Sequence, residues 1–201
     1  MSKKFFLVVV SFLLVGTLFG RGYKDDKIFT MGSQLSLLFT DVNFDGNQIK
    51  TGFAPGFGAS VFFRIGKMVH FQPEISYSLK KFVFKTPFKE LEYNDKFFTN
   101  SLSFTPMIGV SAVNNEDFKF RIFFGPEGGI ILKNGYKGNQ NPWTKFEYGG
   151  KAGIGFDVYN VTLDVGYRYS MSKNSEIINP AITTEYQRQN MIFISVGYCI
   201  F

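Results

Sequence analysis

Nine ionisable residues stand at alternating positions within strand-like stretches of the chain: Arg64, Glu74, Lys80, Arg121, Glu127, Lys151, Asp157, Asp164 and Arg168. Five are basic and four acidic. Enclosed together they must pair or stay wet, because an unpaired buried charge is very costly. The expected chemistry is structural, a cross-linked polar network without a continuous pore; the functional alternative is a proton or ion path. Asp41-Val42-Asn43-Phe44-Asp45-Gly46 matches the opening of a calcium loop, with oxygens at alternate positions and Gly for the turn. Its twelfth position should be a bidentate Glu and is Gly52, so an Asp-Gly turn is favoured over a weakly held cation. His70, the only histidine, is the candidate general base for lipid hydrolysis or acyl transfer. There is no Gly-x-Ser-x-Gly elbow, Cys/His metal cluster or phosphate-binding Gly loop, and no cofactor is expected.

The elements that position these residues follow a period of two. Residues 29–39 place Phe29, Met31, Leu35, Leu37 and Phe39 on one face and Thr30, Gly32, Gln34 and Ser36 on the other. The same alternation marks residues 51–65, 69–83, 97–111, 118–132, 147–158, 161–170 and 190–201. A strand turns successive side chains to opposite faces, so the pattern predicts eight strands, each apolar on one side and polar on the other. The nine charges all fall on the polar side.

The connections run long, short, long, short: 41–50, 66–68, 85–96, 113–117, 133–146, 159–160 and 171–189. Outer-membrane barrels have long external loops, short periplasmic turns and an even strand count. The expectation is an all-β, eight-stranded antiparallel up-and-down transmembrane barrel with both termini periplasmic. A lipocalin-like soluble barrel, apolar inside, is the alternative. The Gly- and Ser-rich polar face suits a narrow lumen, and the long aromatic face suits lipid. Tyr148, Tyr167, Tyr169 and Tyr198 are candidates for the interfacial girdles. On this layout His70 follows the 66–68 turn at the periplasmic rim, so a hydrogen-bonding rim histidine is favoured over a catalytic one. Pro73, Pro106 and Pro126 lie within strands, where a missing amide donor costs a ladder bond, and are expected at bulges or strand ends.

Composition agrees. The chain has 201 residues, 45% hydrophobic and 19% charged, with 26 Phe, 10 Tyr and 21 Gly, which excludes a disordered chain. Residues 1–22 read as a signal peptide: Lys3 and Lys4 precede an apolar run over 5–19, shorter than a membrane-spanning helix needs. Residues 23–201 form the barrel domain. Removing Lys3, Lys4 and Arg21 leaves 19 basic against 16 acidic residues, or +3, which weakens any case for nucleic acid. Cys199 is alone and cannot form an internal disulfide.

Several motifs carry a likeness. Phe71-Gln72-Pro73-Glu74-Ile75-Ser76-Tyr77-Ser78 resembles the "QPEL-x-YS" segment of the PorT-like outer-membrane β-barrel family. Phe124-Gly125-Pro126-Glu127-Gly128-Gly129 is similar to its Gly-Pro strand. Gly153-Ile154-Gly155-Phe156, Leu163-Asp164, Arg168-Tyr169 and the closing Gly197-Tyr198-Cys199-Ile200-Phe201 resemble its later strands. The chain departs where Lys80-Lys81-Phe82 continues a strand that the family usually ends in Lys-Gly. The resemblance implies an outer-membrane barrel of a Gram-negative cell, in a family of which a few members are tied to protein secretion.

The expected function is a structural or interaction protein without catalysis, accessory to secretion or binding through its external loops. A passive solute channel, a lipid-modifying enzyme and a soluble carrier are the alternatives. Expected partners are outer-membrane lipid and lipopolysaccharide, the barrel-assembly machinery during insertion and a protein partner at the loops. The loops hold Lys85, Lys89, Lys96, Lys133, Lys137 and Lys145 with Phe88, Tyr93, Tyr136 and Trp143, groups that suit lipopolysaccharide phosphates or a protein.

Overall fold

A computed structural model of the chain describes residues 28–44, 50–52, 54–85, 96–114, 118–134, 146–172, 174–176 and 185–200. Within them run ten strands: β1 (Phe29–Phe44), β2 (Lys50–Gly52), β3 (Ala54–Ile65), β4 (Val69–Lys85), β5 (Lys96–Asn114), β6 (Phe118–Asn134), β7 (Phe146–Val158), β8 (Val161–Ser170), β9 (Asn174–Glu176) and β10 (Glu185–Cys199). The long strands pair in the order β1-β3-β4-β5-β6-β7-β8-β10, and β10 pairs back to β1. Every pairing is antiparallel. β2 pairs with β4 just past the start of β3, and β9 with β10 just past the end of β8, so each lengthens an existing stave. The architecture is a closed eight-stranded antiparallel barrel. Closure gives each of the eight long strands a partner on both sides.

Both ends of the barrel wall lie with the short turns, because Phe29 pairs with Ile65 and Gly32 with Cys199. At the 66–68 turn Gly66 adopts a φ of +117°, and a Cβ there would run into the Val69 carbonyl. The two-residue turn at 159–160 holds Tyr159 at φ 53°. At the opposite end the strands run further than expected. β1 continues through Asp41–Asn43 to Phe44, paired with residues 187–190 of β10. The first half of the calcium-like motif is therefore extended ladder, which cannot wrap around a cation as a loop does. Asp45 and Gly46 lie outside the described residues, as does segment 1–22, for which a signal peptide is expected.

The alternation of faces is the expected one. Leu35, Leu37, Phe57, Phe71, Ile75, Phe104, Ile122, Ile154, Leu163 and Ile194 project outward and are exposed, whereas Gln34, Ser60, Gln72, Ser76, Ser103, Thr162 and Ser195 are buried inside. This is the reverse of a water-soluble globule.

The prolines are placed differently from the expectation. Pro73 and Pro106 are register partners in the middle of β4 and β5. The β5–β6 ladder has no bridge between Phe104↔Gly128 and Ile108↔Phe124, which sets Pro106 opposite Pro126. The β3–β4 ladder likewise skips from Phe62↔Glu74 to Ile65↔Phe71, around Pro73. Three prolines thus form one row across three adjacent strands, with the gaps where amide donors are missing. The register shifts lie elsewhere on the β5–β6 seam, at Asn100/Ser101 and Ser111/Val113.

Candidate functional site

The interior is built from alternate residues of the long strands, and all nine ionisable residues singled out above lie on it. Toward the turn end, Arg121 of β6 is fully buried and its Nη2 donates to Asp157 Oδ1 at 2.8 Å, Asp164 Oδ1 at 2.7 Å and Thr162 Oγ1 at 2.7 Å. Arg64 of β3 donates through Nη1 to the other oxygen of Asp157 at 2.8 Å and through Nε to Gln72 Oε1 at 3.0 Å. Gln34 closes the cluster, its Nε2 donating to Asp164 Oδ2 at 2.7 Å. Two guanidinium groups meet two carboxylates, and the cluster is neutral.

Nearer the other end, Lys151 Nζ donates to both oxygens of Glu74, at 2.7 and 2.8 Å. Arg168 bridges Glu74 Oε1 at 3.8 Å and Glu127 Oε1 at 3.3 Å, and touches Ser78 Oγ at 3.4 Å. This cluster is also neutral. Lys80 is separate: its ammonium donates to Glu147 Oε2 at 2.6 Å. Glu147 is the partner that sequence reading missed, although it shares the period-two phase of Lys151 and Asp157. The space left among Lys80, Glu127, Glu147 and Arg168 is about 20 Å³, on the order of one water.

Between the two clusters lies an apolar layer that the sequence did not announce. Leu38, Met107, Phe123 and Phe193 pack together inside, with Phe62 also fully buried. On β6 Phe123 falls between Arg121 and Glu127; on β8 Gly166, the register partner of Phe193, falls between Asp164 and Arg168. The cations lean on this layer from both sides. Arg64 lies 5.3 Å from the Phe62 ring centre and Arg121 5.9 Å from that of Phe123; Lys151 and Arg168 lie 4.7 and 5.8 Å from that of Phe193. Each such contact is worth roughly 0.5–2 kcal/mol. Charge, aromatic ring and charge therefore follow one another along the axis.

His70 is buried inside near the turn end, over its register partner Gly109, rather than at a wet rim. Neither ring nitrogen has a hydrogen-bond partner among the described residues, contrary to the expected rim hydrogen bond. The glycine opposite makes room for the imidazole but offers it no side-chain partner. Of the proposed girdle residues, Tyr148, Tyr167 and Tyr169 are exposed on the outer surface, and Tyr198 Oη accepts from Asn160 Nδ2 at 3.1 Å near the 159–160 turn. Lys85 and Lys96 end β4 and begin β5, and Lys133 lies near the end of β6, so these three belong to strand ends. Lys89, Lys137, Lys145, Phe88, Tyr93, Tyr136 and Trp143 lie outside the described residues.

A search of curated proteins finds no match. Among solved structures, the chain is similar to the outer membrane protein OprG of Pseudomonas aeruginosa, with 11% identity, 85% of this chain and 94% of OprG covered, and a TM-score of 0.54. It is also similar to Ail, the attachment invasion locus protein of Yersinia pestis, solved with the heparin analogue sucrose octasulfate: 16% identity, 86% and 99% coverage, TM-score 0.51. At these identities the likeness is one of fold. Residues 25–176 match the family described as outer membrane protein beta-barrel domain, about three quarters of the chain. The chain belongs to that family: it is a small integral β-barrel of the outer membrane.

Proposed function

We propose that this protein is a closed, non-catalytic barrel of the PorT-like kind. Export removes residues 1–22 and the barrel-assembly machinery inserts the rest. It acts at its outer surface by binding anionic groups, lipopolysaccharide phosphates above all, with an accessory role in secretion as a further consequence. The observation that carries this reading is the filled lumen. Two neutral ion-pair clusters with an apolar layer between them offer solute no path, so binding falls to the outside.

Short turns mark the periplasmic end of barrels in this class, so the opposite end is external. There the strand ends gather lysines: Lys50 is the register partner of Lys85, Lys96 begins β5 opposite Val83, and Lys133 is paired with Asn100. Clustered cations at a membrane surface attract phosphate and sulfate groups. The structure of Ail with sucrose octasulfate shows that a barrel of this fold can receive a polyanion.

The test uses the purified barrel in nanodiscs with deacylated lipopolysaccharide as probe. Replacing Lys50, Lys85, Lys96 and Lys133 together with Gln should weaken binding at least tenfold and flatten its salt dependence. Unchanged binding would reject the rim. Steady single-channel conductance of the unaltered protein in planar bilayers would reject the closed lumen in favour of a passive channel.

A further inference from the structure

Resting on that reading, we infer that the outward face of β6 seats one acyl chain of the same outer-leaflet lipid, at Gly128, below the lysine rim. Gly128 is the register partner of Phe104 on β5 and of Tyr148 on β7, and both flanking rings are exposed on the lipid-facing surface. Together with Ile130 and Phe146 they border an open depression of about 550 Å³ on the outer surface, with the glycine among its lining. A Cβ built at Gly128 meets nothing within 4 Å, so neither ring folds over to cover it. The volume lies within the span of ordinary small-molecule sites, roughly 300–1,000 Å³.

A hollow in the hydrocarbon band does not stay empty, because its lining forfeits dispersion contacts unless something flexible fills it. The lining is apolar apart from the backbone, Ser103 and Glu147, and the Glu147 carboxylate is neutralised by Lys80 at 2.6 Å inside the barrel. The occupant is therefore a hydrocarbon chain. Which lipid owns that chain follows from charge. Lys133 stands five residues further out on the same strand, roughly 16 Å along it. Lys96 begins the neighbouring strand β5, further out than Asn100, the register partner of Lys133. A lipid with phosphates at its head and chains below spans that separation, placing its anionic head at the lysines and a chain at Gly128.

Native mass spectrometry of the full barrel with hexa-acylated lipid A, beside deacylated lipopolysaccharide, separates the two parts. Gly128→Leu fills the depression and should lower lipid A retention about tenfold or more, with binding of the deacylated probe unchanged. Phe104→Ala removes one wall and should lower retention too, so a folding fault in either variant does not decide the matter; the heat-modifiability shift reports folding of both. Wild-type retention of lipid A by a folded Gly128→Leu variant overturns the acyl seat and leaves the phosphate reading standing. Loss of binding of both probes only in the lysine variant overturns the seat in the same way. Failure of the unaltered protein to bind the deacylated probe overturns the phosphate reading, and with it this inference. Crosslinked dimers of the unaltered protein, lost in Gly128→Leu while lipid A retention is not, would make a second copy the occupant and also overturn it.

Discussion

Arg121 and Gly155 are register partners on β6 and β7, and the guanidinium occupies the space a side chain at 155 would need. A Cβ there would come within 2.6 Å of Arg121 Nη2 and would strike Asp164 Oδ1. The relation recurs. Phe62 lies across from Gly32, Phe123 from Gly153, Phe193 from Gly166 and His70 from Gly109, and in each case the large side chain fills the place of the missing one. An eight-stranded lumen is only just wide enough for side chains, so a long group can lie across it only where its neighbour has none.

Gly155→Val should therefore expel Arg121 from its bonds to Asp157, Asp164 and Thr162. Overpacking alone costs roughly 1–3 kcal/mol. Stranding two carboxylates raises the expected loss to about 3 kcal/mol or more. Urea unfolding of the barrel in lipid vesicles measures it. Gly150→Val is the control: a Cβ there has only Gly125 O nearby, at 3.7 Å, and should change stability by less than about 0.5 kcal/mol. Equal losses at the two glycines would contradict the account.

The two ends of the lumen should differ in how badly they tolerate a broken pair. Arg121→Met leaves Asp157 and Asp164, each about 2% exposed, facing one another, with Asp164 stripped of its guanidinium and Asp157 still paired to Arg64. Removing one partner of a buried pair costs about 3–5 kcal/mol. Lys80→Met strands Glu147, whose side chain is 12% exposed near the mouth, where water can reach it. The expected loss there is smaller, about 1–2 kcal/mol for a partly hydrated group. The ranking, read from urea midpoints at equal slope, is the test.

The outward face was legible because its apolar residues alternate with small polar ones, and a one-residue slip would have turned lipid-facing groups inward. The charges were legible for the same reason: an arginine at alternate phase to Phe63 and Ile65 has only the lumen to enter. The apolar layer was not, and its residues explain why. Leu38 stands in Leu37-Leu38-Phe39, Phe62 in Phe62-Phe63, Phe123 in Phe123-Phe124 and Phe193 in Ile192-Phe193-Ile194. Where both phases are apolar, period two carries no contrast, and the inward member hides beside the outward one. The Gly partners across the barrel depend on register between strands, which no single segment reveals. The extra strand length of β1 beyond residue 39 was masked by polar Asp41 and Asn43, which read as loop residues until β10 is seen beside them.

The proline row can be probed by returning one donor. Pro126→Ala supplies an N–H opposite Pro106, whose carbonyl faces a partner without one. A new ladder bond is worth roughly 0.5–1.5 kcal/mol. Relaxing the unfolded chain at the same position takes back roughly 0.4–1 kcal/mol. Stability should thus hardly move, and the informative readout is local. The amide of the new alanine should exchange slowly with solvent deuterium, at the rate of its neighbours in the β6–β7 ladder, and a bridge between residues 106 and 126 should appear in cross-strand contacts. Pro73→Ala should do the same on the other side, closing the gap opposite Phe63. If the new amide at 126 instead exchanges rapidly in a folded barrel, the strands are held apart there by their own course, and the missing donor is a consequence of the gap rather than its cause.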